Sequence, residues 1–155
     1  MKSQKIRRIC LALTFVFLMS IASIRPVHAS EPVSVETILL QDINAIRASY
    51  GLSALSLDGT LTYDAQVRAG EITSYFSHTR PDGTPWYYVD YYRMYGETLA
   101  MGYSRSENGA HAVVQLWMNS PAHAALLLER GFRTVGFAAC QGGDGNWYWT
   151  AELGY

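Results

Sequence analysis

The sequence predicts an α+β domain, on three observations. Two stretches between Ser34 and Phe76 repeat their apolar residues at helical spacing, each behind a capping residue. Two strand-like runs close the chain, Thr134 to Cys140 and Asn146 to Leu153, around a glycine-rich turn. Residues 30–155 are also of a length for one domain, able to bury about two-thirds of its unfolded surface without staples.

Residues 1–29 stand apart from that domain. Lys2, Lys5, Arg7 and Arg8 precede an uncharged apolar stretch, Ile9 to Ile24, and Val27-His28-Ala29 has the form of a peptidase site. The apolar stretch is short for a membrane span, which takes about 20 residues. A cleaved signal peptide over 1–29 is expected, leaving Ser30 as the new N-terminus. Arg7-Arg8 resembles half of a twin-arginine signal, but the strongly apolar core fits the general secretory route. The expected location is secreted, extracellular or wall-associated, with no stable membrane anchor after cleavage.

Cleavage changes charge and redox character. Of 12 basic residues, Lys2, Lys5, Arg7, Arg8 and Arg25 leave with the leader; seven arginines then face 13 acidic residues, a net of −6. Such a domain has no electrostatic footprint for nucleic acid and is repelled by anionic membranes. Cations, neutral lipids and neutral glycans stay open as ligands. Cys10 also leaves, so Cys140 has no internal disulfide partner.

In chain order, Ser34 caps a helix to about Ser49, with Leu39, Ile43, Ile46 and Tyr50 on its stripe and Gly51 as the stop. Leu52 to Leu57 connects. Asp58 caps a second helix to about Phe76, whose stripe is Leu61, Ala65, Ala69, Ile72 and Phe76. Arg68 beside it reads as a structural ion pair or hydrogen-bonding anchor. Pro81-Asp82-Gly83 marks a turn, and Pro85 opens a short helix in which Tyr88, Tyr91, Tyr92 and Tyr95 share a face. That face is expected on the core, the alternative being the lining of a lipid or glycan groove. Ser104 to Glu107 has capping-box form and opens a helix to about Met118, weakened by Gly109. His111 reads as a surface or packing residue there. Ser120-Pro121 starts a short helix carrying His123, and Asp144 is a turn residue rather than a calcium ligand.

Three islands carry the chemistry: F-S-H-T-R-P-D-G around His78, Y-G-E-T-L-A around Glu97 and W-M-N-S-P-A-H ending at His123. Two imidazoles and a carboxylate suit a divalent metal of zinc type or a general acid–base site. The metal signal is dispersed, with no H-E-x-x-H helix.

These islands belong to a longer series. Leu39 to Arg47 (L-L-Q-D-I-N-A-I-R), Gly51 to Asp58 (G-L-S-A-L-S-L-D), Ala65 to Glu71 (A-Q-V-R-A-G-E), the three islands above and Tyr148-Trp149-Thr150 follow in order. Together they resemble the CAP superfamily of cysteine-rich secretory, antigen 5 and pathogenesis-related 1 proteins, in its cysteine-poor bacterial SCP-like form. The resemblance implies a three-layer α-β-α sandwich with a central antiparallel sheet, and a cleft in which a His, a Glu, a further acid and a second His converge. His78, Glu97 and His123 match three of those. Thr98 replaces the usual Asn, Ser120 stands where animal members often carry the further acid, and the stretch between Gly83 and Gly96 is shorter and richer in Tyr.

Three functions follow as alternatives. The leading expectation is a secreted binding module in which His78 and His123 take a divalent cation, with Glu97 ligating or second to it, and with a small hydrophobic ligand, glycan or protein as partner. Another is a metal-assisted hydrolase with Glu97 as the candidate catalytic base, against which stands the usual need for three protein ligands. A third is a structural His/Glu network without ligand.

Overall fold

Capping chemistry sets the helix starts in the computed structural model, which describes residues 33–155; the expected signal peptide lies outside the described residues. Ser34 Oγ accepts the Thr37 N–H at 3.2 Å and opens α1, Val35–Ser49, which Gly51 ends at φ +66°. The connector after it contains a strand of two residues, β1, Ser56–Leu57. Asp58 Oδ1 accepts the Leu61 N–H at 2.9 Å and opens α2, Gly59–Ile72.

α2 is shorter than its stripe suggests. The Ser74 and Tyr75 N–H groups both turn back to the Glu71 carbonyl, and Phe76 lies outside the helix, half exposed against Tyr148. The next segment departs further from expectation. Trp86–Tyr88 makes one 3-10 turn behind Pro85, and no α-helix reaches Tyr95. Residues 88, 91, 92 and 95 share a face only if the 3.6-residue repeat continues, and here it stops. Tyr88, Tyr91, Tyr92 and Tyr95 are therefore exposed rather than core, Tyr92 at 83%. Their rings pack on one another instead, Tyr91 edge-on to Tyr88 at 5.9 Å and to Tyr92 at 5.5 Å.

β2, Gly96–Met101, carries the G-E-T-L-A island. α3, Glu107–Asn119, is capped by Ser106, whose Oγ accepts the Gly109 N–H at 3.2 Å, and not by Ser104. Gly109 has a packing reason: a Cβ there would stand 1.8 Å from the Ser104 carbonyl oxygen. α4, Pro121–Leu127, follows at once with proline in its first turn. β3, Thr134–Gln141, and β4, Trp147–Gly154, form the expected hairpin, with Asp144 accepting from Asn146 and Tyr148 in the turn.

The sheet order is β1-β3-β4-β2. β2, β4 and β3 are antiparallel, and β1 adds two parallel pairs with β3, so the expected antiparallel sheet is mixed at one edge. Helices cover both faces in three layers. Val135, Phe137, Trp149, Ala151 and Leu153 pack with Leu39, Ile43, Val113, Trp117 and Leu127 of α1, α3 and α4. The alternate residues face α2, where Ala65 and Ala69 meet Ala138, and Thr150 Oγ1 donates to the Ala65 carbonyl at 3.0 Å. Buried Arg47 ties α1 to the α4–β3 connection by donating to the carbonyls of Ser53, Leu127, Glu129 and Phe132.

Candidate functional site

Three elements deliver the site to β2, an edge strand of the sheet. Glu97, second residue of β2, is buried and faces α2. Arg68, wholly buried on α2, grips it with Nε donating to Oε2 at 2.6 Å and Nη2 to Oε1 at 3.3 Å. The same guanidinium donates through Nη1 to Glu71 and through Nη2 to the Ser77 carbonyl at 2.7 Å. It thereby fixes the chain just before His78. This is the anchoring role expected of Arg68. Glu71 is held in turn by Arg80, with Nη2 to Oε1 at 2.6 Å, which braces the loop on the other side of His78.

His78 stands on that loop with its side chain half exposed, and its Nδ1 pairs with Glu97 Oε1 at 2.7 Å. Both oxygens of Glu97 are thus engaged inside the protein. A carboxylate at Nδ1 favours the tautomer with the proton there, which leaves Nε2 as the nitrogen with a free lone pair.

His123 comes from α4, in the opposite helical layer, which packs against β2. The two imidazoles are close enough that His78 opposes protonation of His123. Burial, acting more strongly, also lowers the His123 pKa from its ordinary 6.5, and its buried Nδ1 has no partner. The structure therefore pairs His78 directly with Glu97 and sets His123 within electrostatic range of His78. Among the described residues no three His, Cys, Asp or Glu side chains are arranged to hold a metal ion. Two imidazoles, with water or a ligand completing the shell, are the donors that an ion of zinc type would find here, both oxygens of Glu97 being engaged by Arg68 and His78.

The family model of the cysteine-rich secretory proteins matches residues 40–153. The chain belongs to the CAP family. Over 117 residues it is 30% identical to the uncharacterized protein YkwD of Bacillus subtilis, covering 71% of this chain and 43% of that one. The chain thus spans less than half the length of this curated relative. An outer surface protein of Borrelia burgdorferi has the same fold with a TM-score of 0.63 at 25% identity, over 76% of this chain and 89% of that one. An extracellular SCP-domain protein of Bacillus anthracis gives 0.53 at 22% identity, over 79% and 45% of the two chains.

Within this CAP domain Ser120 supplies no carboxyl; it sits at the N-cap of α4 without a side-chain bond. Thr98, at the usual Asn position, is buried with an unpartnered hydroxyl. Sequence reasoning missed two carboxyls. Glu71 carries no signal beyond its place three residues after Arg68 on a helix. Glu152, directly opposite Glu97 in the β2–β4 ladder, is a carboxyl within an otherwise strand-like apolar run, which is a visible signal.

Proposed function

We propose that this CAP domain is an exported binding module in which His78 and His123 hold a divalent cation of zinc type, with Glu97 as the residue that orients His78. The observation that carries the reading is the chain Arg68–Glu97–His78: a carboxylate locked by a buried guanidinium and presenting one oxygen to Nδ1, 2.7 Å away. A metal-ligating histidine characteristically hands its second ring nitrogen to such a carboxylate. An ion at the two imidazoles would bring a water-filled, exchangeable coordination position, open to an oxygen donor of the ligand.

The same geometry disfavours a hydrolase. A general base needs a carboxylate free to take a proton from water, whereas Glu97 is spoken for by Arg68 and His78. Export of the domain rests on the leader-like residues 1–29 and on the extracellular and outer-surface descriptions of its structural neighbours.

The tyrosines support a ligand surface on the segment that runs from His78 to Glu97. Trp86, Tyr87, Tyr91, Tyr92, Met94 and Tyr95 line a cavity of about 470 Å³. Exposed phenol rings, with flat faces and hydroxyls, suit a neutral glycan, and the acidic domain disfavours a polyanion.

Zinc titration by calorimetry tests the metal reading. Wild type takes up about one ion at pH 7.5, and His78→Ala or His123→Ala each lose at least tenfold in affinity. The double variant loses little more, because paired ligands are not additive. Binding weakens as pH falls through the imidazole range near 6.5, since the ligating nitrogens must be unprotonated. No uptake by wild type, or unchanged uptake by both single variants, leaves a structural network in its place.

A further inference from the structure

Glu152 is wholly buried, and neither side-chain oxygen meets a hydrogen-bond donor among the described residues. It stands directly across the β2–β4 ladder from Glu97, on the same face of the sheet. Such opposed residues have their side chains within reach of each other. The one guanidinium nearby is committed elsewhere: Arg68 gives Nε and Nη2 to Glu97, Nη1 to Glu71 and Nη2 also to the Ser77 carbonyl. The other charged group facing Glu152 from α2 is Asp64, itself an acid. An ionised Glu152 would put a second negative charge beside Glu97 with no cation to balance it, an arrangement buried sites do not sustain.

We infer that Glu152 is a positioning residue: as a neutral carboxylic acid it donates its proton in a hydrogen bond to Glu97, and so fixes the carboxylate that orients His78. Burial first, then the repulsion of Glu97 and the hydrogen bond to it, hold the Glu152 carboxyl well above the usual carboxylate range. Glu97 then accepts from three sides, from Arg68, His78 and Glu152. Its orientation is thereby fixed, with one oxygen facing His78 Nδ1. The inference deepens the proposed function but rests on the His78–Glu97 pair, not on the ion.

The test compares wild type with Glu152→Gln and Glu152→Leu. Infrared spectroscopy at pH 7.5 is expected to show a protonated-carboxyl C=O stretch in wild type that disappears in Glu152→Gln. Nitrogen NMR is expected to report the Nδ1–H form of His78 in wild type and in Glu152→Gln, whose amide still donates, and a tautomer mixture in Glu152→Leu. Zinc affinity is expected to stay within twofold for Gln and to fall at least fivefold for Leu. Absence of the protonated-carboxyl band, or an unchanged His78 tautomer in a folded Glu152→Leu protein, overturns the inference. Should Glu152→Leu not fold, the infrared comparison with Glu152→Gln decides alone. Should wild type bind no zinc, the metal reading fails while the infrared and tautomer measurements still judge Glu152.

Discussion

The two faces of one sheet are built on opposite principles. Toward α1, α3 and α4, the strands present Phe137, Trp149 and Leu153 to Trp117, Leu39 and Ile43, all nearly or wholly buried and apolar. Toward α2, alternate positions of the same strands present Glu97, Thr150 and Glu152 to Asp64 and Arg68, equally buried. Apolar burial of the first kind stabilises by roughly 25 cal/mol per Å². Buried charge of the second kind holds a geometry, and its net contribution is small or negative unless every partner is in place. The larger apolar core lies on one face, and the site lies on the other among small apolar clusters.

Removing Arg68 strikes that contrast hardest. Arg68→Met strands Glu97 as an uncompensated buried charge, and a loss of about 3–5 kcal/mol is expected in urea unfolding. A loss below about 1 kcal/mol would show that the α2 face is not held by this ion pair.

Asp64→Asn should act in the other direction. Burial first, and then the charge of Asp90, push the Asp64 carboxyl up to about 6, and its Oδ2 has no partner. The unfolded carboxyl titrates near 3.9, so the folded state holds the proton more tightly. That contribution is fully present below about pH 4 and is lost as pH rises through about 6. The amide never ionises, so the variant should gain on the order of 1–3 kcal/mol above pH 6, from about 1.4 kcal/mol per pKa unit, and nothing below pH 4. Unfolding midpoints at pH 4 and pH 8 measure it; an equal effect at both would remove the ionic cost from the α2 face.

The smallest effect on stability belongs to the tyrosines. Tyr91→Ser with Tyr92→Ser should change stability by under about 1 kcal/mol, since surface changes usually stay within ±0.5 each, while abolishing retention on an insoluble neutral glycan such as chitin. A large fall in melting temperature would return these rings to the core; unchanged retention would remove the glycan surface.

What the sequence disclosed was mostly local. Ser34, Asp58, Gly51 and the glycine turn act within a few residues, and each does in the structure what its type predicts. β1 is too short to carry a pattern, and β2 is buried on both faces, so it lacks the alternation that marks a strand. The 86–95 segment kept helical spacing without a helix, because spacing alone cannot say whether the hydrogen-bond ladder continues. Within the site, His78 and Glu97 stood out in their islands, and Arg68 as an anchor beside the α2 stripe. Glu152 stands out as a carboxyl in an apolar run, but its role was hidden, because that depends on a strand pairing with β2, more than 50 residues away, and on α2 lying over that pairing.

How closely α2 lies there has its own consequence. A Cβ at Gly136 would stand 2.0 Å from the Leu61 carbonyl carbon, so helix backbone rests directly on strand backbone, and Ala65, Ala69 and Ala138 close the rest of that contact. No water layer fits between surfaces in such contact. The carboxyls beside it therefore sit in a region of low dielectric where solvent cannot screen them, and the remaining way to relieve a surplus charge is to take up a proton. Through the absence of one side chain, Gly136 helps to set the acid–base character of the neighbouring site.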